Sequence, residues 1–275
     1  MKLPKSTIFC SFKISARFLA IAFLLLLFSS SALAYDESFP VDMSEMVEGL
    51  SKSGSTINGG INSTFVSRYV WRGQYYTKGP GWQPEGWVSA YGFIGSVWGS
   101  MPLANEQYQG EISEIDLSLI YAKKIKNLTV APGYVHYLYP ATPDVPSTGE
   151  VFLMLDYELE YLHIFTSQFF DVKEYRGSYY GTFGLAFLHD FFDRFSFKGA
   201  ISTSWASAEF NKVYFNVDKW TSSTVSFDTS LTIDILDWLF VVPNATYDIL
   251  VDGDLRKQTG QPNLITGGIT IGFVF

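Results

Sequence analysis

From Ile57 to Phe275 apolar and polar side chains alternate with a period of two, and the alternation hardly stops. The clearest stretch runs from Glu150 to Tyr161. Val151, Leu153, Leu155, Tyr157, Leu159 and Tyr161 form one row; Glu150, Asp156, Glu158 and Glu160 stand on the other, with Phe152 and Met154 between them. Successive strand side chains point to opposite faces, so one face of this segment wants an apolar medium and the other is strongly acidic. Val225, Phe227, Thr229, Leu231, Ile233 and Ile235 oppose Ser226, Asp228, Ser230, Thr232 and Asp234 in the same way. Ile115, Leu117, Leu119 and Tyr121 oppose Glu114, Asp116 and Ser118.

A soluble sandwich also alternates, so length has to decide. These runs reach about 10 to 13 residues, which suits tilted bilayer spans better than the ~5–6 residues usual in soluble sheets. Twelve spans fit between residues 59 and 275, the first over 59–72 and the third over 92–100, where glycines blur the phase. Short connections near 90–92, 123–127, 160–163, 190–194 and 236–238 alternate with longer ones at 73–81, 101–111, 140–149, 172–177, 207–222 and 251–262. Short turns on one side of a membrane and longer loops on the other have this rhythm. The expected fold is therefore all-β, a transmembrane antiparallel up-and-down β-barrel of twelve strands. Closure is obligatory, because hydrocarbon offers an open sheet edge no hydrogen-bond partners.

The start of the chain reads as an export signal. Lys2, Lys5, Lys13 and Arg17 precede or flank an apolar run from Phe18 to Phe28, and Ala32-Leu33-Ala34 supplies a small-x-small cleavage site. Cleavage after Ala34 leaves an acidic periplasmic lead-in over 35–57 and the barrel over 58–275. It also removes four cations, leaving 15 against 27 carboxylates, a net charge of −12. Cys10 leaves too, so no disulfide is expected in the exported chain. The acidic balance argues against nucleic-acid binding. Aromatic residues make up 17% of the chain, a load that girdles at the two lipid interfaces absorb. Tyr69, Trp71, Trp82, Trp87, Trp98, Tyr137, Tyr139, Trp205 and Trp238 are the girdle candidates. The last strand carries Ile265, Gly267, Ile269, Ile271, Phe273 and Phe275 on one face and ends on the aromatic Phe275. It is similar to the terminal strand of outer-membrane barrels, which implies that Phe273 and Phe275 form the signal read by the barrel-insertion machinery. The expected location is the outer membrane of a Gram-negative bacterium.

Ser67-Arg68-Tyr69-Val70-Trp71-Arg72-Gly73, Gly92-Phe93-Ile94-Gly95-Ser96-Val97-Trp98-Gly99-Ser100 and Glu114-Ile115-Asp116-Leu117 together resemble the signature segments of the TorF-like porin family, also described as Gcw_chp. The motifs cover about 50 residues closely and the barrel pattern covers the rest loosely. The resemblance implies a porin-like outer-membrane barrel; the solute is left open.

Arg68 and Arg72 fall on the polar side of the first predicted strand with Asn62 and Thr64, about 13 Å apart along it. Glu114, Asp116, Asp156, Glu158 and Asp228 lie on the polar faces of other strands. Facing rows of opposite charge would make a transverse field in a constriction. The same groups could instead neutralise one another and plug the lumen. Asp248, Asp252 and Asp254 lack the spacing of a Ca²⁺ loop, and no metal is expected. Of His136, His163 and His189, only His136 falls near a candidate nucleophile, Ser147; no G-x-S-x-G elbow accompanies it, so no catalytic residue and no cofactor are expected. The expected partners are outer-membrane lipid, the insertion machinery and small polar solutes or ions diffusing passively. The alternatives are a non-conducting structural or adhesive barrel and, third, a barrel hydrolase.

Overall fold

The computed structural model describes residues 57–104 and 106–275; the expected signal over 1–34 and nearly all of the lead-in over 35–57 lie outside the described residues. Twelve antiparallel strands close into one barrel. They are β1 (Ile57–Val66), β2 (Gly81–Ala90), β3 (Phe93–Pro102), β4 (Glu114–Tyr121, continued by Lys123–Ile125), β5 (Leu128–Leu138) and β6 (Thr148–Leu159). The second half has β7 (Leu162–Asp171), β8 (Tyr179–Phe191), β9 (Phe195–Ala206), β10 (Thr221–Leu236), β11 (Leu239–Leu250) and β12 (Asn263–Val274). Every strand pairs with its sequence neighbours. β1 closes the ring against β12, with Ile61 opposite Phe273 and Val66 opposite Gly268. Phe275 completes the seam: its N–H donates to Gly59 O at 2.9 Å, and Gly59 N–H donates to Phe275 O at 3.0 Å. No row of backbone groups is left facing lipid along this seam, as a hydrocarbon environment demands.

The expected sidedness holds. Ile61, Phe65, Val97, Leu119, Val151, Leu153, Phe183, Ile201, Phe227 and Ile269 all stand exposed on the outside. Their alternates, among them Asn62, Gln83, Glu150, Ser167, Thr182, Ser202, Ser226 and Thr266, are buried within the barrel. The third strand keeps a clear phase despite its glycines: Ile94 and Trp98 turn inward while Phe93 and Val97 turn out. Trp205 Nε1 donates to Tyr179 Oη at 2.8 Å, and Tyr179 stacks on Trp220, which anchors the long-loop rim. Trp238 stacks on Phe273 at the short-turn rim.

The first strand is shorter than its expected span of 59–72. It ends at Val66, and the chain turns into the lumen as a small hairpin, Val70–Trp71 paired with Gln74–Tyr75. Arg72 (φ 46°) and Gly73 (φ 84°) form its two-residue turn. Positive φ at both central positions matches a type I′ turn, whose twist suits a tight hairpin. Alternation alone did not reveal this break, since Val70 and Trp71 are themselves strand residues. Two short helices complete the long-loop end, α1 (Ala208–Phe215) and α2 (Gly253–Thr259).

Candidate functional site: a plugged lumen

The inward rows make two unlike walls. On β3 to β8 they carry Ile94, Ala131, Val135, Phe152, Met154, Phe165, Phe169 and Ala186, which pack as one buried apolar cluster. On β9 to β12 and β1 they carry mostly hydroxyl, amide and carboxylate groups. Thr64 Oγ1 and Thr270 Oγ1 lie 2.9 Å apart, Asn62 Nδ2 donates to Glu85 Oε2 at 3.0 Å, and Thr246 Oγ1 donates to Asp228 Oδ1 at 2.6 Å. Thr64, Asp228, Ser230, Asn244 and Thr270 keep partial exposure although they face inward, so solvent reaches this wall.

The long-loop mouth is filled from two sides. Tyr69 N–H donates to Thr77 Oγ1 at 2.9 Å and Tyr69 O accepts from Tyr76 N–H at 2.8 Å, pinching the base of the hairpin. From the other side α1 enters, its N-terminus capped by Ser207 Oγ and its C-terminus by the left-handed Asn216. Phe210 and Phe215 of α1 are buried against Trp71, Tyr180, Leu250 and Leu255 in a second cluster. α2 begins on Asp252, whose side chain accepts from the N–H groups of Asp254 and Leu255.

Arg72 lies at the centre of this plug. Its Nη1 donates to Glu150 Oε1 at 2.8 Å and its Nη2 to Glu150 Oε2 at 2.7 Å, a fork-to-fork pair. The two side chains are only 1% and 2% exposed. Tyr137 Oη adds a third bond to Glu150 at 2.8 Å. The guanidinium carbon sits 4.4 Å from the Trp71 ring centre and 4.7 Å from those of Phe169 and Tyr180. A buried ion pair costs its desolvation, which good geometry and added hydrogen bonds must offset. Here the bidentate contact, the phenol and the aromatic faces all act against that cost.

The two arginines of the expected row stand apart, one buried in the plug and one outside it. Arg68 is exposed, with Nη1 on Tyr75 Oη at 3.0 Å. Arg72 meets Glu150, a member of the acidic row that sequence reasoning did not single out. Glu158 Oε1 accepts from Lys124 Nζ at 2.7 Å, and Asp156 Oδ2 lies 2.9 Å from His163 Nδ1. Asp156, Glu158 and His163 each offer a ligand atom within 4.8 Å of the others, a set able to hold a divalent ion. Five girdle candidates are also displaced: Tyr69, Trp71, Trp98 and Tyr137 are buried inside, where they pack the plug and its surroundings, and Tyr139 packs against them at the mouth. Lys173 Nζ donates to Ser147 Oγ at 2.6 Å and lies 3.5 Å from His136 Nε2, so the lysine stands between the serine and the histidine.

Two cavities flank Tyr69. One of about 70 Å³ lies towards the barrel middle, lined by Glu85, Asp116, Trp98 and Phe152 among others. The other, of about 360 Å³, opens at the long-loop mouth among Tyr76, Tyr139, Tyr175, Tyr214 and Glu114. Burial first, then neighbouring phenols and the Glu114 carboxylate, push the Tyr76 and Tyr139 hydroxyls well above the usual phenol range. Burial and Glu150 do the same to Tyr214. These phenols are neutral hydrogen-bond donors at ordinary pH. No single residue marks this cavity along the chain, because its walls come from five separate connections and strand ends.

A closed barrel with lipid-facing apolar rows and a partly wet, partly plugged interior defines a transmembrane β-barrel. Among solved structures it is similar to the KdgM porin, with a TM-score of 0.51 and 10% identity over 78% of this chain and 99% of that one. The NanC porin (TM-score 0.46, 15% identity, 78% and 98%) and an outer membrane channel from Pseudomonas putida F1 (0.47, 11%, 80% and 96%) share less of the geometry. At such identities the KdgM likeness shows the fold alone. No family model and no curated protein matches the chain.

Proposed function

We propose that the chain is an outer-membrane channel of the porin kind, passing small polar solutes or ions, with its outer mouth narrowed by the hairpin and α1. The carrying observation is the solvent-reached wall of Thr64, Asp228, Ser230, Asn244 and Thr270 inside a closed barrel. The KdgM-like fold supports the same reading. The proposal includes export behind a signal cleaved after Ala34 in a Gram-negative bacterium, insertion through the terminal strand, and no enzymatic role. Membership of the TorF-like porin family is also proposed. Its support is that the matching segments, far apart in sequence, meet around the plug: Tyr69 and Trp98 lie 5.6 Å apart, and Glu114 lines the cavity beside them.

Reconstitution of the mature chain in a planar bilayer tests the reading. Discrete conductance steps are expected, larger in an Arg72→Ala variant whose plug has lost its ion pair. Zero current from both wild type and variant would reject the channel. A second reading, a non-conducting structural barrel, draws on the aromatic cluster packed around Trp71 and Phe210, and the same recordings decide between them.

A further inference from the structure

We propose that the tyrosine-walled cavity at the long-loop mouth captures small organic ammonium cations, quaternary ammonium groups above all. The inference deepens the channel reading and rests on it only for what happens beyond the site. Its volume, about 360 Å³, is at the lower end of the ~300–1,000 Å³ usual for small-molecule sites. Tyr69, Tyr76, Tyr139, Tyr175 and Tyr214 supply the walls. The rings are tilted against one another: Tyr69 and Tyr76 by 42°, Tyr175 and Tyr214 by 70°. Tyr76 packs on both Tyr69 and Trp71 and lines the cavity.

The charge of the lining selects the ligand. Glu114, 5% exposed, and Glu106 both contribute, and among the described lining residues there is no lysine or arginine. Phenol faces and carboxylates attract positive charge and repel anions. A neutral sugar fits less well. Burying its hydroxyls needs a hydrogen-bond partner for each, and tilted rings offer no flat platform for a pyranose face. An alkylated ammonium needs only aromatic faces and one carboxylate.

The test uses the full mature chain refolded in detergent micelles, with choline chloride titrated calorimetrically against sodium chloride and maltose. Saturable choline binding is expected, with none for maltose. Glu114→Gln should weaken it about tenfold or more, and Tyr175→Ala several-fold. A heat-dependent gel shift confirms that each variant is folded; if Glu114→Gln is not, Tyr175→Ala alone carries the test. Absent choline binding in folded protein, binding undiminished in the folded variants, or preferential uptake of maltose overturns the proposal. Conductance of the same preparation in sodium chloride separates the two readings. Conduction without choline binding sinks the capture site alone, whereas choline binding without conduction supports the site and removes the channel.

Discussion

Arg72 and Glu150, 78 residues apart in sequence, form a two-pronged ion pair of 2.8 and 2.7 Å at the core of the plug. The pair ties the inward hairpin to the inner face of β6. Removing one partner leaves the other charged and buried, at a cost of ~3–5 kcal/mol. Arg72→Ala or Glu150→Gln should therefore lower the thermal unfolding temperature in detergent. The double variant Arg72→Met/Glu150→Leu should be less destabilised than either single change. Additive losses would show that the pair is not coupled as the structure implies.

Gly73 permits the turn that aims Arg72. A Cβ there would meet Leu250 Cδ2 at 2.9 Å and Thr224 Cγ2 at 3.0 Å, at a φ of +84°. Gly73→Ala should cost about 1–3 kcal/mol and open the hairpin without unmaking the barrel. Limited proteolysis should cut the variant between residues 67 and 80, with the remaining barrel still shifting on heated gels.

Lys219 Nζ reaches Asp252 Oδ2 at 2.7 Å and Asp254 Oδ2 at 2.8 Å, joining the segment after α1 to the start of α2. Burial alone would raise the Asp252 carboxyl, but bonds from Lys219, Thr221 and the N–H groups of Asp254 and Leu255 outweigh it and hold it at about 2. Hydrogen bonds from Lys219 also lower Asp254, and the two carboxylates raise Lys219. A depressed carboxyl stabilises above its unfolded value of ~3.9 and loses that contribution as pH falls towards its folded one. The raised lysine keeps its share until pH climbs past its ordinary value. The link should thus hold at about pH 5 and loosen by about pH 2.5. The Lys219 ammonium resonance, or protease access to residues 216–222, reads this directly; loosening already at pH 5 would contradict it.

Phe275 seals the seam through its backbone, while its ring, 79% exposed, rests near Gly59. Deleting it removes both closing hydrogen bonds and the terminal aromatic. Folded, heat-modifiable protein in the outer membrane should fall sharply, and Phe275→Tyr should restore it. Normal assembly of the deletion would exclude a role for Phe275 in insertion.

Asp228 faces the wet wall and accepts from Thr246. If ions follow that wall, Asp228→Asn should reduce cation preference, read as a reversal-potential shift in a salt gradient. Arg68→Ala should leave that potential unchanged, since Arg68 is exposed beside Tyr75.

The sequence by itself determined the barrel. Period-two alternation over runs too long for an ordinary soluble sheet points to a closed barrel, in which every backbone group is paired and every apolar row meets lipid, and twelve spans follow from counting the runs. It also marked the inward position of Glu114, Asp116, Asp156, Glu158 and Asp228, because parity alone sets the face. Only the tertiary structure decided what fills the lumen. Alternation cannot tell a strand that continues along the wall from one that folds back inside, so residues 67–72 passed for strand. Nor can it choose partners: which carboxylate meets Arg72, and which tyrosines share a cavity, depends on loops converging across the mouth from distant points of the chain. Those contacts are set by three-dimensional packing, for which local pattern carries no signal.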